Sequence, residues 1–280
     1  MIRDLIRDAE KRLLDRDIPE QYAKYVMNEL LDKQGKNLYL VMNEELDEAT
    51  LLEFNAIMEQ LLNDVPLAYA MGVQYFYGYP INVNAHVLIP RYETEELVLK
   101  VIMEIDEHFS DEAIQVIDVG TGSGAIACVL KAECPQIKMA ASDISSDALN
   151  EARLNAQHLN VDVDFYEGDM LAPFIERNFK VDVVVCNPPY IPQAEVLERS
   201  VKDFEPHVAL FGGEDGLMFY RSVLSKAHLI LNPKFFMAFE MGWDQGDALT
   251  NLANEYFPDA LVEVVKDMQG KDRMLFVKQV

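Results

Sequence analysis

Apolar β-forming runs alternate with helical segments from residue 114 to the end of the chain, and this alternation constrains the fold more than any other feature of the sequence. Strands are predicted at 114–119, 137–142, 162–166, 181–186, 235–239, 260–265 and 273–279. Such an alternation is typical of a mostly parallel sheet covered by helices on both faces. The sequence therefore predicts an α/β domain built on these strands.

The N-terminal part of the chain has a different pattern. Apolar residues recur at helical spacing in the stretches 2–13, 23–31 and 51–62. They predict a small helical bundle, too short to host a cofactor fold, and we expect residues 1–73 to form a substrate-recognition domain. Residues 74–90 are rich in β-forming residues and predict a β-hairpin linker. A helix is expected from Glu93 to about His108, within a second domain at 91–280.

The charge and hydropathy of the chain argue against several classes of function. The formal net charge is −24, and a field of this sign repels nucleic-acid backbones and anionic membrane surfaces. Stable nucleic-acid binding is therefore disfavoured. The N-terminus alternates charges and lacks the apolar region of a signal peptide, and no apolar run reaches the length of a membrane span. We expect a protein that is neither exported nor inserted in a membrane.

The cysteines and histidines indicate a reducing compartment and no metal. Cys128, Cys134 and Cys186 contain no C-x-x-C pair, which predicts neither a disulfide framework nor a zinc site and favours the cytoplasm. Cys186 is interpreted as a buried strand residue rather than a nucleophile, because free cysteine behaves as a small hydrophobic residue. The five histidines are scattered along the chain, so no metal site is predicted.

A glycine loop follows the first strand of the predicted sheet. Gly120-Thr121-Gly122-Ser123-Gly124 separates that strand from a helical segment, which is the expected context of a nucleotide-binding loop. The spacing is G-x-G-x-G and departs from the dinucleotide pattern G-x-G-x-x-G. Glycines here let the backbone approach a ligand closely, as a cofactor without a pyrophosphate but with a bulky sulfonium tail requires.

Acidic residues stand at or near the ends of the neighbouring strands. Asp118 precedes the glycine loop and is placed to meet a positive charge. Asp143 follows the last glycine by about 20 residues, the distance at which an acid accepts both ribose hydroxyls. Asp169 is placed to receive an adenine amino group, and Met170 to pack on the ring. Each has an ordinary alternative, since an Asp after a strand is often a helix cap.

The tetrapeptide Asn187-Pro188-Pro189-Tyr190 follows the strand predicted at 181–186. Two prolines fix the backbone and remove two donors, so the segment presents acceptors. The Asn187 side-chain oxygen and the Pro188 carbonyl can accept both protons of one planar NH2 group, while Tyr190 covers its flat face. A group held in this way is an amide or an aromatic amine. A Pro-rich turn is the alternative, but the tetrapeptide occurs together with the glycine loop and the spaced acids. This combination favours a binding site.

Taken together, these residues resemble the class I S-adenosylmethionine-dependent methyltransferases. The chain is more narrowly similar to the protein-(glutamine-N5) methyltransferases that modify peptide chain release factors. The resemblance covers nearly the whole chain and rests on the segments 66–72, 76–78, 87–95, 120–124, 187–191, 209–216 and 270–273. Two positions depart from the pattern: Tyr92 replaces a frequent proline, and Met170 stands where an aromatic residue is often found.

The resemblance implies a doubly wound, seven-stranded, mostly parallel sheet with an N-terminal helical bundle and a connecting hairpin. It implies that S-adenosylmethionine binds at Gly120 to Gly124, Asp143 and Asn187 and leaves as S-adenosylhomocysteine. It also implies that the substrate contacts Asn187 to Tyr190. The expected substrate is the glutamine of the Gly-Gly-Gln motif in class I peptide chain release factors, and we expect the enzyme to be a monomer.

Several alternatives stay open at this point. The substrate glutamine can belong to a ribosomal protein, and adenine N6 of nucleic acid poses the same chemical problem as a carboxamide. A catalytically silent cofactor-binding partner is a further alternative. Arg91 and Glu93 can brace the junction between the domains or touch substrate. The segment 212–216 can be a turn, part of a substrate groove, or both.

Overall fold

The structure is a computed structural model that describes residues 1–109, 112–196 and 199–280, without the side chains of residues 199 and 200. The described residues form two compact units. The first contains Met1–Val73 together with Arg199–Phe204. The second contains the remainder of the chain from Gln74 onward.

The first unit is helical. Its helices are α1 (Ile2–Leu14), α2 (Gln21–Asp32), α3 (Leu38–Val41), α4 (Glu48–Leu62) and α5 (Leu67–Met71). Helix α1 buries Ile2, Ile6, Ala9 and Leu13 on one face, and α2 and α4 complete the core with their own apolar faces. Asp47 caps the N-terminus of α4, because its side chain accepts a hydrogen bond of 3.0 Å from the Thr50 N–H.

The second unit opens with a hairpin. Strands β1 (Val73–Phe76) and β2 (Tyr79–Asn82) form a two-stranded sheet. Tyr77 and Gly78, at the turn, have φ values of +52° and +80°. Two positive φ values at adjacent turn residues are the geometry that matches the twist of a hairpin.

The remaining elements of the second unit alternate as the sequence predicts. They are α6 (Tyr92–Phe109), β3 (Gln115–Val119), α7 (Ala125–Glu133), β4 (Lys138–Asp143), α8 (Ser146–His158), β5 (Val163–Glu167), α9 (Ala172–Glu176), β6 (Val181–Cys186), α10 (Arg199–Lys202), α11 (Met218–Ala227), β7 (Leu231–Glu240), α12 (Gly246–Tyr256), β8 (Leu261–Lys266) and β9 (Asp272–Gln279). The short helix α10 groups with the first unit. A 3-10 turn spans His207–Ala209.

The seven strands from β3 onward form one sheet in the order β5-β4-β3-β6-β7-β9-β8. Neighbours from β5 to β7 run parallel, while β9 is antiparallel to both β7 and β8. The predicted seven-stranded, mostly parallel sheet is confirmed. The central strands β3 and β6 are buried over nearly their whole length, as expected where helices cover both faces of a parallel sheet.

One strand and two helices differ from the sequence-based expectation. Strand β7 begins at Leu231 rather than at residue 235, because Leu231 pairs with Val181 across a register shift despite the nearby Pro233. Proline tolerates such an irregular position, where no regular ladder hydrogen bond is lost. Helices α3 and α5 are too short to give a periodic signal. Among the described residues, no helix is both long and apolar enough to span a membrane.

Candidate active site

The carboxyl ends of four neighbouring strands surround one cavity. The chain runs from β3 outward to β5 and then returns to β6 on the other side of β3, so the strand order reverses there. Open α/β sheets bind ligands at such a switch point. The cavity is lined by Gly120 and Gly122 after β3, Asp143 at the end of β4, Gly168, Asp169 and Met170 after β5, and Asn187 and Pro189 after β6. Apolar side chains complete the wall, among them Val87, Leu88, Ile144, Val208 and Phe219.

A second, smaller cavity shares part of this lining. Leu88, Gly120, Gly122 and Asn187 border both spaces. The second cavity is also lined by Arg91, Thr94, Thr121 and Ser123. The predicted site residues thus collect at one edge of the sheet, except that Asp118, Gly124, Pro188 and Tyr190 border neither cavity.

The glycine loop adopts a backbone that side chains would disfavour. Gly120, Gly122 and Gly124 have φ values of +74°, +54° and +77°. The N–H groups of Gly120 and Thr121 both donate to the Ser142 carbonyl at 2.9 Å, which fixes the loop against β4. A Cβ atom at Gly124 would lie 2.9 Å from the Ala152 Cβ, so glycine is required where α7 meets α8.

Asp118, the penultimate residue of β3, is fully buried. Its Oδ2 accepts a hydrogen bond of 2.6 Å from the Thr121 hydroxyl, and its Oδ1 has no hydrogen-bond partner among the described residues. Burial raises the pKa of this carboxyl to about 7, and the negative charge of Asp143 adds to the effect. A buried carboxylate with one unpaired oxygen is suited to a positive charge.

Asp143 ends β4 and faces the main cavity. Its Oδ2 accepts the Gly122 N–H at 2.8 Å, and its Oδ1 accepts the Ser145 N–H at 2.9 Å. Burial raises the pKa of the carboxyl although these two hydrogen bonds act in the opposite direction. Because a carboxylate oxygen has two acceptor sites, both oxygens can still accept hydroxyl groups from a ligand.

Asp169 and Met170 form the wall beyond β5. Asp169 is exposed toward solvent, whereas Met170 is nearly buried and has a φ of +46°. The Ser142 hydroxyl donates to the Met170 carbonyl at 3.0 Å and holds this unusual backbone in place. The Met170 side chain ends 3.9 Å from the point where a Cβ of Gly120 would lie. Met170 therefore contributes an apolar surface beside the glycine loop.

The Asn187 side chain is held through its amide nitrogen. Its Nδ2 donates to the Thr94 hydroxyl oxygen at 3.1 Å, and the Thr94 hydroxyl in turn donates to Glu240 Oε2 at 2.6 Å. Within the described part of the chain, the Asn187 Oδ1 accepts no hydrogen bond, and Asn187 lines both cavities. The amide therefore presents an acceptor to a ligand.

Tyr190 and Glu240 meet at the other end of the tetrapeptide. The Tyr190 hydroxyl donates to Glu240 Oε1 at 3.4 Å, and the Gln245 side-chain nitrogen donates to the Tyr190 carbonyl at 3.1 Å. Burial raises the pKa of the Glu240 carboxyl to about 7. Burial and the charge of Glu240 also raise the pKa of the Tyr190 phenol, so Tyr190 stays protonated and is no base at neutral pH.

The glycine-rich segment 212–216 packs against the backbone of the tetrapeptide. A Cβ atom at Gly212 would lie 2.5 Å from the Pro189 carbonyl oxygen, and one at Gly216 would overlap the Tyr190 carbonyl oxygen. Gly212 N–H also donates to the Ile191 carbonyl at 2.9 Å. The segment therefore supports the Asn187–Tyr190 backbone from one side, besides leading by a turn into α11.

Arg91 braces another part of the wall. Its guanidinium donates to the buried Glu205 carboxylate at 2.5 Å, and Glu205 directly precedes the cavity-lining residues Pro206, Val208 and Ala209. The second Glu205 oxygen has no partner among the described residues. This ion pair fixes the 205–209 segment to the start of α6.

Two residues at this site, Thr94 and Glu240, were not predicted from the sequence. Thr94 lies in a segment that carries the family resemblance, but at a helix start its hydroxyl is ordinarily interpreted as a cap. Glu240 follows the apolar run Phe235–Phe239, so the strand-end argument used for Asn187 would have selected it as well.

Comparisons with known proteins identify the family of the chain. The family of the methyltransferase small domain matches residues 100–209, and that of the PrmC N-terminal domain matches residues 4–72. A release factor glutamine methyltransferase of Bacillus cereus is 40% identical over 98% of this chain and 98% of its own length. The enzyme of that name from Bacillus subtilis is 42% identical over 86% of this chain and 85% of its own length. A solved methyltransferase structure from Pyrococcus furiosus has a TM-score of 0.53 at 18% identity, covering 72% of this chain and 89% of that one.

The seven-stranded sheet, with its glycine loop and the acid that ends β4, is the fold of a class I S-adenosylmethionine-dependent methyltransferase. Within that class, the chain belongs to the release factor glutamine methyltransferase family. The resemblance inferred from the motifs is confirmed.

Proposed function

We propose that this chain transfers a methyl group from S-adenosylmethionine to the side-chain amide nitrogen, N5, of the glutamine in the Gly-Gly-Gln motif of class I peptide chain release factors. One observation carries the proposal: Asn187 is held by its NH2 group and presents its free Oδ1 in a cavity bordered by the glycine loop and Asp143. The names of the relatives supply the substrate class, a release factor glutamine.

The residues around the main cavity fit S-adenosylmethionine. Asp143 and Asp169 offer carboxylate acceptors for ribose hydroxyls and an adenine amino group, and Met170 offers an apolar surface for the ring. The overall negative charge of the chain favours a cation. Bound there, the cofactor would supply a methyl group activated by its attachment to a sulfonium sulfur.

The substrate carboxamide donates hydrogen bonds to two acceptors. Asn187 Oδ1 and the Pro188 carbonyl accept its two N–H groups and fix the rotation of the planar amide. Both hydrogen bonds strengthen as the nitrogen becomes more positive, so they stabilise the transition state more than the ground state. The Tyr190 hydroxyl donates to Glu240, and we assign the Tyr190 ring to the face of the amide.

Positioning, rather than proton abstraction, supplies most of the rate. A carboxamide nitrogen is a poor nucleophile because its lone pair is delocalised into the carbonyl. Tyr190 stays protonated, and both Glu240 oxygens accept hydrogen bonds from protein hydroxyls, which leaves neither as a free base. Alignment and exclusion of water are then the main contributions of these side chains. The one proton that the substrate nitrogen loses after it has received the methyl group passes to solvent water.

The division of the chain follows from this assignment. We assign substrate recognition to the helical domain at 1–73, a linking role to the hairpin at 74–90, and catalysis to 91–280. The match of residues 4–72 to the PrmC N-terminal domain and of residues 100–209 to the methyltransferase small domain supports this division. Three unpaired cysteines and a substrate of the translation machinery favour action in the cytoplasm, and we propose that the enzyme acts as a monomer.

The test uses a purified, unmethylated class I release factor incubated with S-adenosylmethionine and the full chain. Intact-mass and fragmentation analysis should show one added methyl on the Gly-Gly-Gln glutamine. The Asn187→Ala variant should give no methylated product on the same timescale. Asn150→Ala is the matched control, because Asn150 lies on the exposed side of α8 outside the cavity, and it should behave as the unaltered enzyme does.

Other outcomes discriminate between substrates. No methylation of the release factor by an enzyme that still binds the cofactor would overturn the proposal. Methylation of a ribosomal protein or of adenine in the same assay would replace the release factor with that substrate. Methyl transfer that persists undiminished in Asn187→Ala would show that the tetrapeptide does not hold the reacting nitrogen.

A further inference from the structure

Glu240 and Thr94 lie directly behind Asn187. Strands β6 and β7 are parallel neighbours in which Cys186 pairs with Phe239, so the next residues along each strand, Asn187 and Glu240, emerge side by side. Thr94 reaches them from the first turn of α6. Glu240 is 2% exposed and Thr94 is 4% exposed, so water does not compete for their hydrogen bonds.

The hydrogen bonds between these three side chains have a fixed direction. Above its pKa of about 7, the Glu240 carboxylate only accepts, so the Thr94 hydroxyl then donates its single proton to Glu240 Oε2. The Thr94 oxygen is then left as an acceptor, and only the NH2 side of Asn187 can satisfy it. The opposite orientation of the amide would place two acceptors, Thr94 Oγ1 and Asn187 Oδ1, against each other.

Glu240 interacts with residues from several elements. Tyr190 approaches its Oε1 from the loop after β6, and the Tyr220 hydroxyl of α11 donates to the Glu240 backbone carbonyl at 2.7 Å. The charges of Arg273 on β9 and Glu93 in α6 act on it from two further sides. Glu240 therefore cannot swing away from Thr94 without disturbing the ends of both β6 and β7.

We propose that Glu240 and Thr94 are positioning residues that set the orientation of the Asn187 amide, so that Oδ1 rather than Nδ2 faces the substrate nitrogen. The inference rests on the proposed function, because the orientation matters only when the group to be gripped is itself an NH2. A reversed Asn187 amide would set donors against donors. The substrate would then lose one of its two acceptors and one source of alignment.

The discriminating variants are Thr94→Val and Thr94→Ser. Valine keeps the shape of threonine and removes the hydroxyl, whereas serine keeps the hydroxyl and removes the methyl group. We expect Thr94→Val to lower kcat for release factor methylation by about tenfold or more, as loss of a buried, charge-assisted hydrogen bond does. Thr94→Ser should recover kcat to within about threefold of the unaltered enzyme. Because Thr94 also borders the smaller cavity, the dissociation constant of S-adenosylmethionine is measured for both variants.

A double-mutant cycle separates orientation from general damage. If Glu240 acts through Thr94, Glu240→Gln should lower kcat, and the double variant Thr94→Val/Glu240→Gln should be no slower than Thr94→Val alone. If the two substitutions acted independently, their separate losses of kcat would multiply in the double variant. Thermal unfolding of each variant is measured alongside, and if Glu240→Gln does not fold, the Thr94 pair decides the question alone.

A readout independent of activity uses the protein labelled with 15N at asparagine. The Asn187 side-chain NH2 signals, assigned by their loss in Asn187→Ala, should exchange slowly with water in the unaltered protein and in Thr94→Ser, and fast in Thr94→Val. Equal exchange in all three proteins, or equal kcat in Thr94→Val and the unaltered enzyme, would overturn the inference. An unaltered enzyme that does not methylate the release factor would overturn the proposed function, while the exchange measurement would still decide the orientation.

Discussion

The side-chain amide of Asn187 combines an engaged donor with an available acceptor, and this polarity determines what the site can hold. An NH2 group suits it, whereas a hydroxyl or a carboxylate satisfies fewer of the acceptors on offer. A release factor glutamine and an adenine amino group both meet this requirement. The choice between them is therefore made by residues outside the tetrapeptide.

Replacement of Asn187 by alanine should lower kcat/KM by about 100-fold, which corresponds to about 3 kcal/mol of transition-state stabilisation. The reason is that the variant loses a preorganised acceptor that strengthens during the reaction. Steady-state kinetics with the release factor check this, and Asn150→Ala should stay within about twofold of the unaltered enzyme. A loss of less than tenfold for Asn187→Ala would contradict the role.

At the residue scale, the sequence predicted the residues of the site that contact the cavity from strand ends. It did not predict Thr94 and Glu240, whose side chains lie behind Asn187. The glycine loop, Asp143 and Asn187 stand at strand ends, and parallel strands bring such ends together. Thr94 comes from a helix whose packing the sequence does not reveal. The link to Glu240 depends on the neighbouring register of β6 and β7, which only the folded sheet defines.

At the scale of elements, the loop after β6 depends on the glycine-rich segment beside it. The Gly212 and Gly216 positions lie so close to the backbone of Pro189 and Tyr190 that a side chain would displace the tetrapeptide. Gly216 also has a φ of +74°, which adds backbone strain for any other residue. The two segments therefore behave as a single structural unit.

Gly216→Ala should destabilise the protein by about 2–3 kcal/mol and lower kcat/KM, because the new Cβ meets the Tyr190 carbonyl oxygen and the Gln245 side chain. Gly78→Ala is the control, since Gly78 has a similar φ of +80° but no atom within 4 Å of an added Cβ. It should cost only about 1 kcal/mol of backbone strain and leave kcat/KM unchanged. Chemical denaturation gives the free energies of unfolding, and equal values for both variants would refute the steric argument.

Two buried carboxyls, Asp118 at the end of β3 and Glu240 at the end of β7, make stability depend on pH. The pKa of each is raised to about 7 in the folded state. Between the ordinary pKa of the unfolded chain and pH 7, the folded state therefore binds protons that the unfolded state has lost. Their contribution to stability is fully present below the ordinary carboxyl pKa and is lost as pH rises through about 7.

We expect the free energy of unfolding without cofactor to fall between about pH 5 and pH 8, and to fall less steeply in Asp118→Asn and Glu240→Gln. The variants are needed because the net charge of −24 also destabilises the compact state at higher pH. They separate the effect of the two carboxyls from this general effect. Denaturation at several pH values measures the slopes. Parallel curves for the unaltered protein and both variants would show that these carboxyls titrate normally.

The seven strands of the sheet were predictable because each is an apolar run of ordinary strand length bounded by turn residues. Their spatial order was not predicted, since periodicity does not report which strands pair. The early start of β7 was missed because Pro233 ordinarily ends a strand. Helices α3 and α5 were not predicted because one helical turn has no measurable hydrophobic period.

At the scale of the whole molecule, the strong negative charge favours a basic partner surface. A charge of −24 on 280 residues attracts cationic surfaces over distances set by the ionic strength. Such attraction acts mainly on the rate of encounter and on specificity. We expect it to leave the chemical step unchanged, because the proposed site is a cavity lined mostly by uncharged residues.

Raising the salt concentration from about 50 to 300 mM should increase KM for a release factor by about threefold or more and leave kcat nearly constant, because screening weakens the encounter. An uncharged peptide containing Gly-Gly-Gln is the control, and its KM should not change. Initial rates at several salt concentrations measure both constants. A KM for the release factor that does not respond to salt would contradict electrostatic matching.

A glutamine that has received its methyl group retains a single N–H. Asn187 Oδ1 and the Pro188 carbonyl can then no longer both be satisfied, so the modified side chain binds less tightly than the one that entered. If these two acceptors align the amide as proposed, they also promote release of the product. They would then limit the reaction to one methyl group per glutamine.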